Sequence, residues 1–309
     1  VKFVNLHHHS TFSFGDGYGT PAQHVNRAAE LGYSAIALTE HGNVSSHFQL
    51  EKAALKRGIK PIFGLEAYCG PVDMENRQQF KNHLTLLAKD IDGYRNLNRI
   101  VTQSYNDFYY DPTVSGHSLA SSHTGLVALS GCSGSLLACS LLGGKGIPEP
   151  DPGPYDWRTA RDVIKRFTGL FGSDYFLEVQ PFPELERTCL MNKAYEKLAK
   201  RLDVPLIVTC DVHYPYPADA EMQAVLHAAS RGKNSVEEQM RNWNYDVLLT
   251  LPDSEQYLID KLEKSGMSNS AAWESVANAE WVANNCNVTL PKAERLLYPQ
   301  RDEDYLPWT

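Results

Sequence analysis

Seven short apolar runs alternate with amphipathic helical stretches along most of this chain, and that alternation restricts the fold more than any other feature. The runs are Val1–Val4, Ser34–Leu38, Pro61–Leu65, His83–Ala88, Gly125–Leu129, Tyr175–Val179 and Pro205–Thr209. Each is bounded by polar or turn-forming residues and is too short for a stable helix, so each reads as a buried strand. Helical spacing fills the gaps, as in Thr20–Leu31, Ser46–Lys56, Tyr94–Tyr105, Ser135–Leu142, Trp157–Phe171, Leu185–Leu202 and Ala218–Ala229. At the first of these, Thr20 is placed to cap the helix and Pro21 to occupy its first position. Repeated strand–helix–strand units predict an α/β fold with parallel pairing, and 309 residues suit one large (β/α) barrel with a small appended piece. The alternation ends near residue 232. Residues 233–309 hold two further helical patterns, Ser254–Lys264 and Ser270–Asn284, and a tail rich in proline and charge. A barrel over 1–232 and a mainly helical extension or linker over 233–309 are therefore expected.

The polar residues at the strand ends carry the chemistry. His7 and His9 follow the first strand, His41 the second, Glu66 the third, Cys132 the fifth, and Asp211 with His213 the seventh; Asp16 lies in a glycine-rich loop after the first strand. Side chains alternate along a strand, so His7 and His9 share one face and His8 takes the other. Asp211 and His213 repeat that spacing. In (β/α) barrels the active site forms at the C-terminal ends of the strands. Imidazoles, carboxylates and one thiol suit Zn, Mn or Fe better than Mg or Ca. More ligands are present than one tetrahedral ion needs, which implies two or three divalent ions and points to phosphoester hydrolysis.

Each piece also has a plainer reading. An exposed His pair is common, a His run can be a cloning remnant, Glu40-His41 can cap a helix, and Glu66 can be a surface charge. The apolar flanks of the His run argue against a tag. Cys132 can be an ordinary buried thiol, and Glu178 can pair with a neighbouring Arg or Lys. His83 stands at the start of its strand, the wrong end for a barrel site. His8, His24, His47, His117, His123 and His227 have no strand-end placement and read as structural or surface residues.

Charge and cysteine usage narrow the setting. A net charge of −8 argues against broad electrostatic binding to duplex DNA, although bound metals can supply positive charge for phosphate chemistry. The six cysteines show no paired spacing, as expected of a reducing cytosol. The sequence begins without a signal-peptide pattern, and no apolar run reaches membrane-spanning length, so a cytoplasmic, membrane-free location is expected.

The ordered set of motifs resembles a known family. Phe3-Val4-Asn5-Leu6-His7-His8-His9-Ser10, Asp16-Gly17, Leu38-Thr39-Glu40-His41-Gly42-Asn43, Gly58 to Tyr68, His83 to Lys89, Leu129-Ser130-Gly131-Cys132 and Asp211-Val212-His213-Tyr214 resemble the polymerase and histidinol phosphatase (PHP) domain. More narrowly, they are similar to the N-terminal PHP domain of bacterial C-family replicative DNA polymerases, the polymerase III alpha-subunit type. The resemblance covers roughly the first 230 residues. It implies a distorted seven-stranded TIM-like (β/α)7 barrel with a trinuclear centre. It also implies nine metal ligands: His7, His9, Asp16, His41, Glu66, His83, Cys132, Asp211 and His213. Catalysis would run through the metals they hold. His83 and Cys132 join the set on the resemblance alone. His8 and Glu40 depart from the family's usual residues, and neither is among the nine.

In relatives with all nine ligands, the resemblance implies a metal-dependent 3′–5′ exonuclease that proofreads; in relatives that have lost ligands, a structural domain. The implied partners are a single-stranded or frayed DNA 3′ end, the rest of the polymerase and other replisome subunits. The polymerase palm is not in this sequence. Two alternatives stand beside the exonuclease: a metal-stabilised scaffold without catalysis, and a phosphatase of the histidinol-phosphate kind.

Overall fold

The computed structural model describes residues 3–73, 75, 80–145, 147–151, 153–230, 235, 237–238 and 247–292. Its elements, in chain order, are α1 (Pro21–Glu30), β1 (Ala35–Leu38), α2 (His47–Arg57), β2 (Lys60–Cys69), β3 (Asn82–Ala88), α3 (Ile91–Asn106), α4 (Gly116–Ser121), β4 (Leu126–Leu129), α5 (Leu136–Leu142), α6 (Trp157–Phe171), β5 (Tyr175–Val179), α7 (Glu186–Leu202), β6 (Leu206–Val208), α8 (Ala220–Ser230), α9 (Glu255–Lys264) and α10 (Asn269–Asn285). Helix starts follow local chemistry. Thr20 and Gln23 form a reciprocal capping box with Pro21 in the first turn, and Ser115, Ser135, Asp156, Ser254 and Ser268 each cap the helix that follows them.

The strands form one sheet in the order β1-β2-β3-β4-β5-β6. β1/β2, β4/β5 and β5/β6 pair in parallel, whereas β3 runs antiparallel to both β2 and β4. The expected all-parallel pattern is thus broken at β3. The count is also corrected: among the described residues there are six strands, not seven. The first strand was expected over Val1–Val4; its described part, Phe3–Val4, and the residues up to His7 form no ladder, because side chains take over the hydrogen bonds of the segment. Asn5 receives the Cys210 amide and donates to the His7 carbonyl, and the His8 amide donates to Thr39 Oγ1. Only a single parallel bridge, His8 with Val212, remains. The segment still lies between the two ends of the sheet. His9 N donates to the Val212 carbonyl, Val212 N to the His7 carbonyl, and Thr39 N to the His8 carbonyl. The sheet therefore curls until both ends grip residues 7–9.

Phe3, Leu6, Ile36, Leu38, Ile62, Phe63, Leu65, Leu84 and Leu86 are fully buried. Side chains of this size each contribute about 1.5–3 kcal/mol on burial. Leu258, Ile259 and Leu262 of α9 and Val276 and Val282 of α10 belong to the same apolar core, with α10 packed on β6. Lys60 of β2 reaches the C-terminal end of α10 through the Ala283 carbonyl. No helix among the described residues is long and apolar enough to cross a membrane. The linker expected beyond residue 292 lies outside the described residues.

Candidate metal centre

Glu66 is the hub. It points inward from β2, and its carboxylate lies 3.3 Å from both His7 Nε2 and His9 Nε2 and 2.7 Å from both His41 Nδ1 and His83 Nδ1. Cys132 Sγ stands 3.8 Å from Glu66 and 3.5 Å from His83 Nδ1. Asp211 Oδ1 is 3.4 Å from His7 and His9 alike. Asp16 Oδ2 is 3.1 Å from His41 Nε2 and 3.5 Å from His213 Nε2. The structure therefore brings all nine expected residues into one connected cluster.

Strand direction explains His83. Because β3 is antiparallel to β2, with His83 opposite Tyr68 and Thr85 opposite Glu66, its start lies at the rim where the parallel strands end. The strand-end rule had placed His83 at the wrong end; the reversal removes the conflict. Backbone geometry positions other members. Asp211 is held at φ +45°, a left-handed conformation uncommon outside glycine. The Asp16 loop folds tightly onto residue 10: a Cβ on Gly17 would lie 2.2 Å from the Ser10 carbonyl oxygen, so only glycine fits there.

A layer of hydrogen bonds behind the cluster aims the imidazoles. His7 Nδ1 donates to Glu178 Oε1 at 2.6 Å, which leaves Nε2 as the ring nitrogen that faces Glu66 and Asp211. Glu178 is itself held by Thr209 Oγ1, Thr85 Oγ1 and the Gly131 amide. His9 Nδ1 donates to Ser13 Oγ, which donates onward to Glu40 Oε2 at 2.6 Å. His213 Nδ1 donates to the Asp211 carbonyl at 2.8 Å. Partners of this kind orient metal-binding imidazoles and raise their basicity.

Glu178 and Glu40 are functional neighbours that the sequence reading missed. Glu178, for which a basic partner was one alternative, supports His7, and Glu40, for which a helix-capping role was one alternative, anchors Ser10 and Ser13. Glu178's strand-end position was the available signal. His8 does turn away, its Nε2 meeting His24 Nδ1 at 2.7 Å, and His47 bonds the Gly64 carbonyl. His227 sits closer to the site than expected, with Nε2 3.8 Å from Asp16 Oδ1. Tyr68 stacks on His41 at 5.6 Å and 16°.

The electrostatics fit a site built for cations. Burial alone would lower the His7 pKa, but Asp211, Glu178 and Glu66 outweigh it and hold the value well above the ordinary range. Burial opposes ionisation of Glu66, yet His83, His7 and His41 hold its pKa well below that of a free carboxyl. The Cys132 thiol is pushed up by burial and by Glu66 and Asp211. His7 Nε2, His9 Nε2, His41 Nδ1, Glu66 Oε2 and Asp211 Oδ1 are all buried without a well-formed hydrogen bond. Leaving so many buried polar atoms unsatisfied is costly unless something positive completes them. Three overlapping groups have ligand atoms within 4.8 Å of one another: His7/His9/Asp211, His9/His41/His213 and His41/Glu66/His83. Nitrogen and oxygen donors with one sulfur at the edge match Zn, Mn or Fe.

The chain is 31% identical to DNA polymerase III subunit alpha of Aquifex aeolicus over 94% of its own length and 26% of the relative's. The same subunit from Treponema pallidum is 32% identical over 96% of this chain and 24% of the relative. That of Thermus aquaticus is 30% identical over 96% and 24%. The chain thus spans about a quarter of the length of these curated relatives. Among solved structures, a histidinol phosphate phosphatase from Lactococcus lactis, complexed with zinc, L-histidinol and phosphate, aligns over 86% of this chain and 95% of its own. Its identity is 13% and its TM-score 0.38. The model of the PHP domain matches residues 5–181, more than half of the sequence. The chain belongs to the PHP domain family.

Proposed function

We propose that this chain is the N-terminal, metal-dependent phosphoesterase domain of a DNA polymerase III alpha subunit, acting as a 3′–5′ exonuclease on a single-stranded or frayed DNA end. The observation that carries the reading is the convergence of eight further His, Asp and Cys side chains on Glu66, five of these nine with a buried atom lacking a well-formed hydrogen bond. In this reading His7, His9, Asp16, His41, Glu66, His83, Cys132, Asp211 and His213 hold two or three divalent ions. Residues 1–232 form the metal-bearing unit, and residues 233–309 lead toward a polymerase palm. Its partners are the rest of the polymerase and other replisome subunits, in the cytoplasm.

When bound, the cations supply Lewis acidity: a lowered pKa for attacking water and neutralisation of charge on the phosphodiester and departing oxygen. The chain's own residues do the rest. Glu178 fixes the tautomer and angle of His7, and the Ser13–Glu40 pair does so for His9. Asp16, only partly buried on its loop, stands at the open side of the cluster with His41 and His213. Burial of His7, His9 and Glu66 excludes bulk water from the floor of the site.

That same burial favours a second reading, in which the metals stabilise the domain without catalysis. A 3′-labelled single-stranded oligonucleotide incubated with manganese- or zinc-loaded protein separates the two. Nucleotide release by the wild type and none by Asp211→Asn supports the exonuclease. Identical traces with a metal-dependent melting temperature support the scaffold. Faster turnover of a phosphomonoester than of DNA would instead indicate a phosphatase.

A further inference from the structure

Helix α8 turns polar side chains inward, the reverse of an ordinary surface helix. Its buried residues are Gln223, His227 and Ala228, while the larger apolar side chains Met222 and Val225 are exposed. Burying an amide and an imidazole is costly unless each finds a partner. Here the partner is the loop that carries Asp16. Gln223, His227 and Ser230 stand at i, i+4 and i+7, on one face of the helix, and all three meet residues 15 and 16. No residue of α8 is among the nine of the cluster.

These contacts divide the Asp16 carboxylate between two neighbours. Gln223 Nε2 donates to the Asp16 carbonyl at 3.0 Å and lies 3.4 Å from Asp16 Oδ1. His227 Nε2 is 3.8 Å from the same Oδ1. Oδ2 faces the cluster instead, 3.1 Å from His41 Nε2 and 3.5 Å from His213 Nε2. Ser230 Oγ lies 2.9 Å from both the Gly15 and the His227 carbonyls, so its hydroxyl sits between loop and helix. The approach is close. Gly15 is held at φ +76°, and a Cβ there would lie 2.5 Å from Ser230 Cβ, so the loop presses onto α8 only because residue 15 is glycine. Within the loop, the Asp16 and Gly17 amides both donate to the Ser13 carbonyl.

We infer that α8 completes the metal centre, with Gln223 as a positioning residue that fixes the Asp16 backbone and carboxylate so that Oδ2 is presented to the corner shared by His41 and His213. His227 flanks Oδ1 and closes the other side. The His7 corner has its own support in Glu178, so loss of the Gln223 amide affects the Asp16 corner selectively. The inference rests on the reading of the cluster as a polynuclear metal centre.

The test is metal uptake rather than turnover. Manganese is titrated by calorimetry into chelator-treated wild type, Gln223→Leu and Gln223→Met, with Val225→Gln as a control on the exposed face of the same helix. Both Gln223 variants are expected to weaken the weakest binding step by about tenfold, the lower end of what loss of a supporting hydrogen bond costs a metal site. The tightest step and the melting temperature of the metal-free protein stay at wild-type values, and Val225→Gln changes nothing. Isotherms of both Gln223 variants identical to wild type overturn the inference. So does uniform weakening of every step with a lower melting temperature, which is what a merely structural role gives. Uptake of a single ion or none by the wild type would overturn the polynuclear reading and this inference together. A selective loss in the Gln223 variants, with no oligonucleotide hydrolysis by metal-loaded wild type, would contradict the exonuclease reading while leaving the role of α8 in place.

Discussion

Glu178 Oε1 lies 2.6 Å from His7 Nδ1, and neither side chain has exposed surface. The carboxylate comes from β5, the imidazole from the segment that closes the sheet, and Thr209 and Thr85 fix the carboxylate from either side. Replacing the carboxylate with an amide keeps the volume but removes the charge that favours the His7 Nδ1–H tautomer. Glu178→Gln is expected to weaken metal binding by 10–100-fold. Competition with a chromogenic chelator measures it, and wild-type affinity in the variant would contradict this role.

Asp211 allows a cleaner test of ligand chemistry because of its backbone. At φ +45°, asparagine is tolerated and alanine is not. Asp211→Asn is expected to abolish metal-dependent activity while keeping the backbone conformation, at the cost of the Asp211 charge beside His7 and His9. Asp211→Ala is expected to lose the same activity and to be about 1 kcal/mol less stable than Asp211→Asn. Urea unfolding of both metal-free variants compares them; equal stabilities would show that the conformation carries no strain.

Metal removal is expected to destabilise the whole domain. The unsatisfied atoms of His7, His9, Glu66 and Asp211 are buried beside the core that holds the sheet closed. An ion present at 100 times its Kd contributes about 2.7 kcal/mol of stability, which chelation removes. Calorimetry with and without EDTA measures it. An unchanged Tm would mean that the buried cluster is satisfied without ions.

The pH dependence has a component away from the metal site. Burial lowers the pKa of His47 to about 4, partly offset by its bond to the Gly64 carbonyl. The unfolded chain takes up this proton near pH 6.5, whereas the native state resists until about pH 4. Stability from the neutral imidazole is therefore fully present above pH 6.5 and is lost as pH falls toward 4. The loss is about 3 kcal/mol for one fully buried group. His47→Gln is expected to flatten the stability profile across this window relative to wild type, as measured by urea unfolding at pH 7 and pH 4.5. Parallel profiles would show that His47 does not contribute.

Much of this architecture was legible in the chain because period and capping agree. Trp157–Phe171 and Tyr175–Val179 fall where the sequence placed them, bounded by an Asp156 cap and a following glycine turn. Helix α4, six residues long, was missed because it is too short to show a helical period. Strand direction was not legible either. An apolar run has the same composition read either way, so His83 could not be assigned to the rim until the antiparallel β2–β3 pairing was seen. The first segment shows the reverse error: Phe3 and Leu6 are buried as a strand would bury them, but Asn5 and Thr39 replace the ladder. The metal-binding candidates could be picked out from residue type and strand-end position, with the family resemblance adding His83 and Cys132. The supports of Glu178 could not, because Thr85, Gly131 and Thr209 come from three different parts of the sheet.

The central claim is that Glu66 and the eight side chains around it form one polynuclear metal centre, and metal stoichiometry tests it most directly. Elemental analysis of protein dialysed against manganese or zinc is expected to give two to three ions per wild-type chain, and fewer for Asp211→Asn and Glu66→Gln. One ion or none in the wild type, or a stoichiometry unchanged by both substitutions, would contradict it.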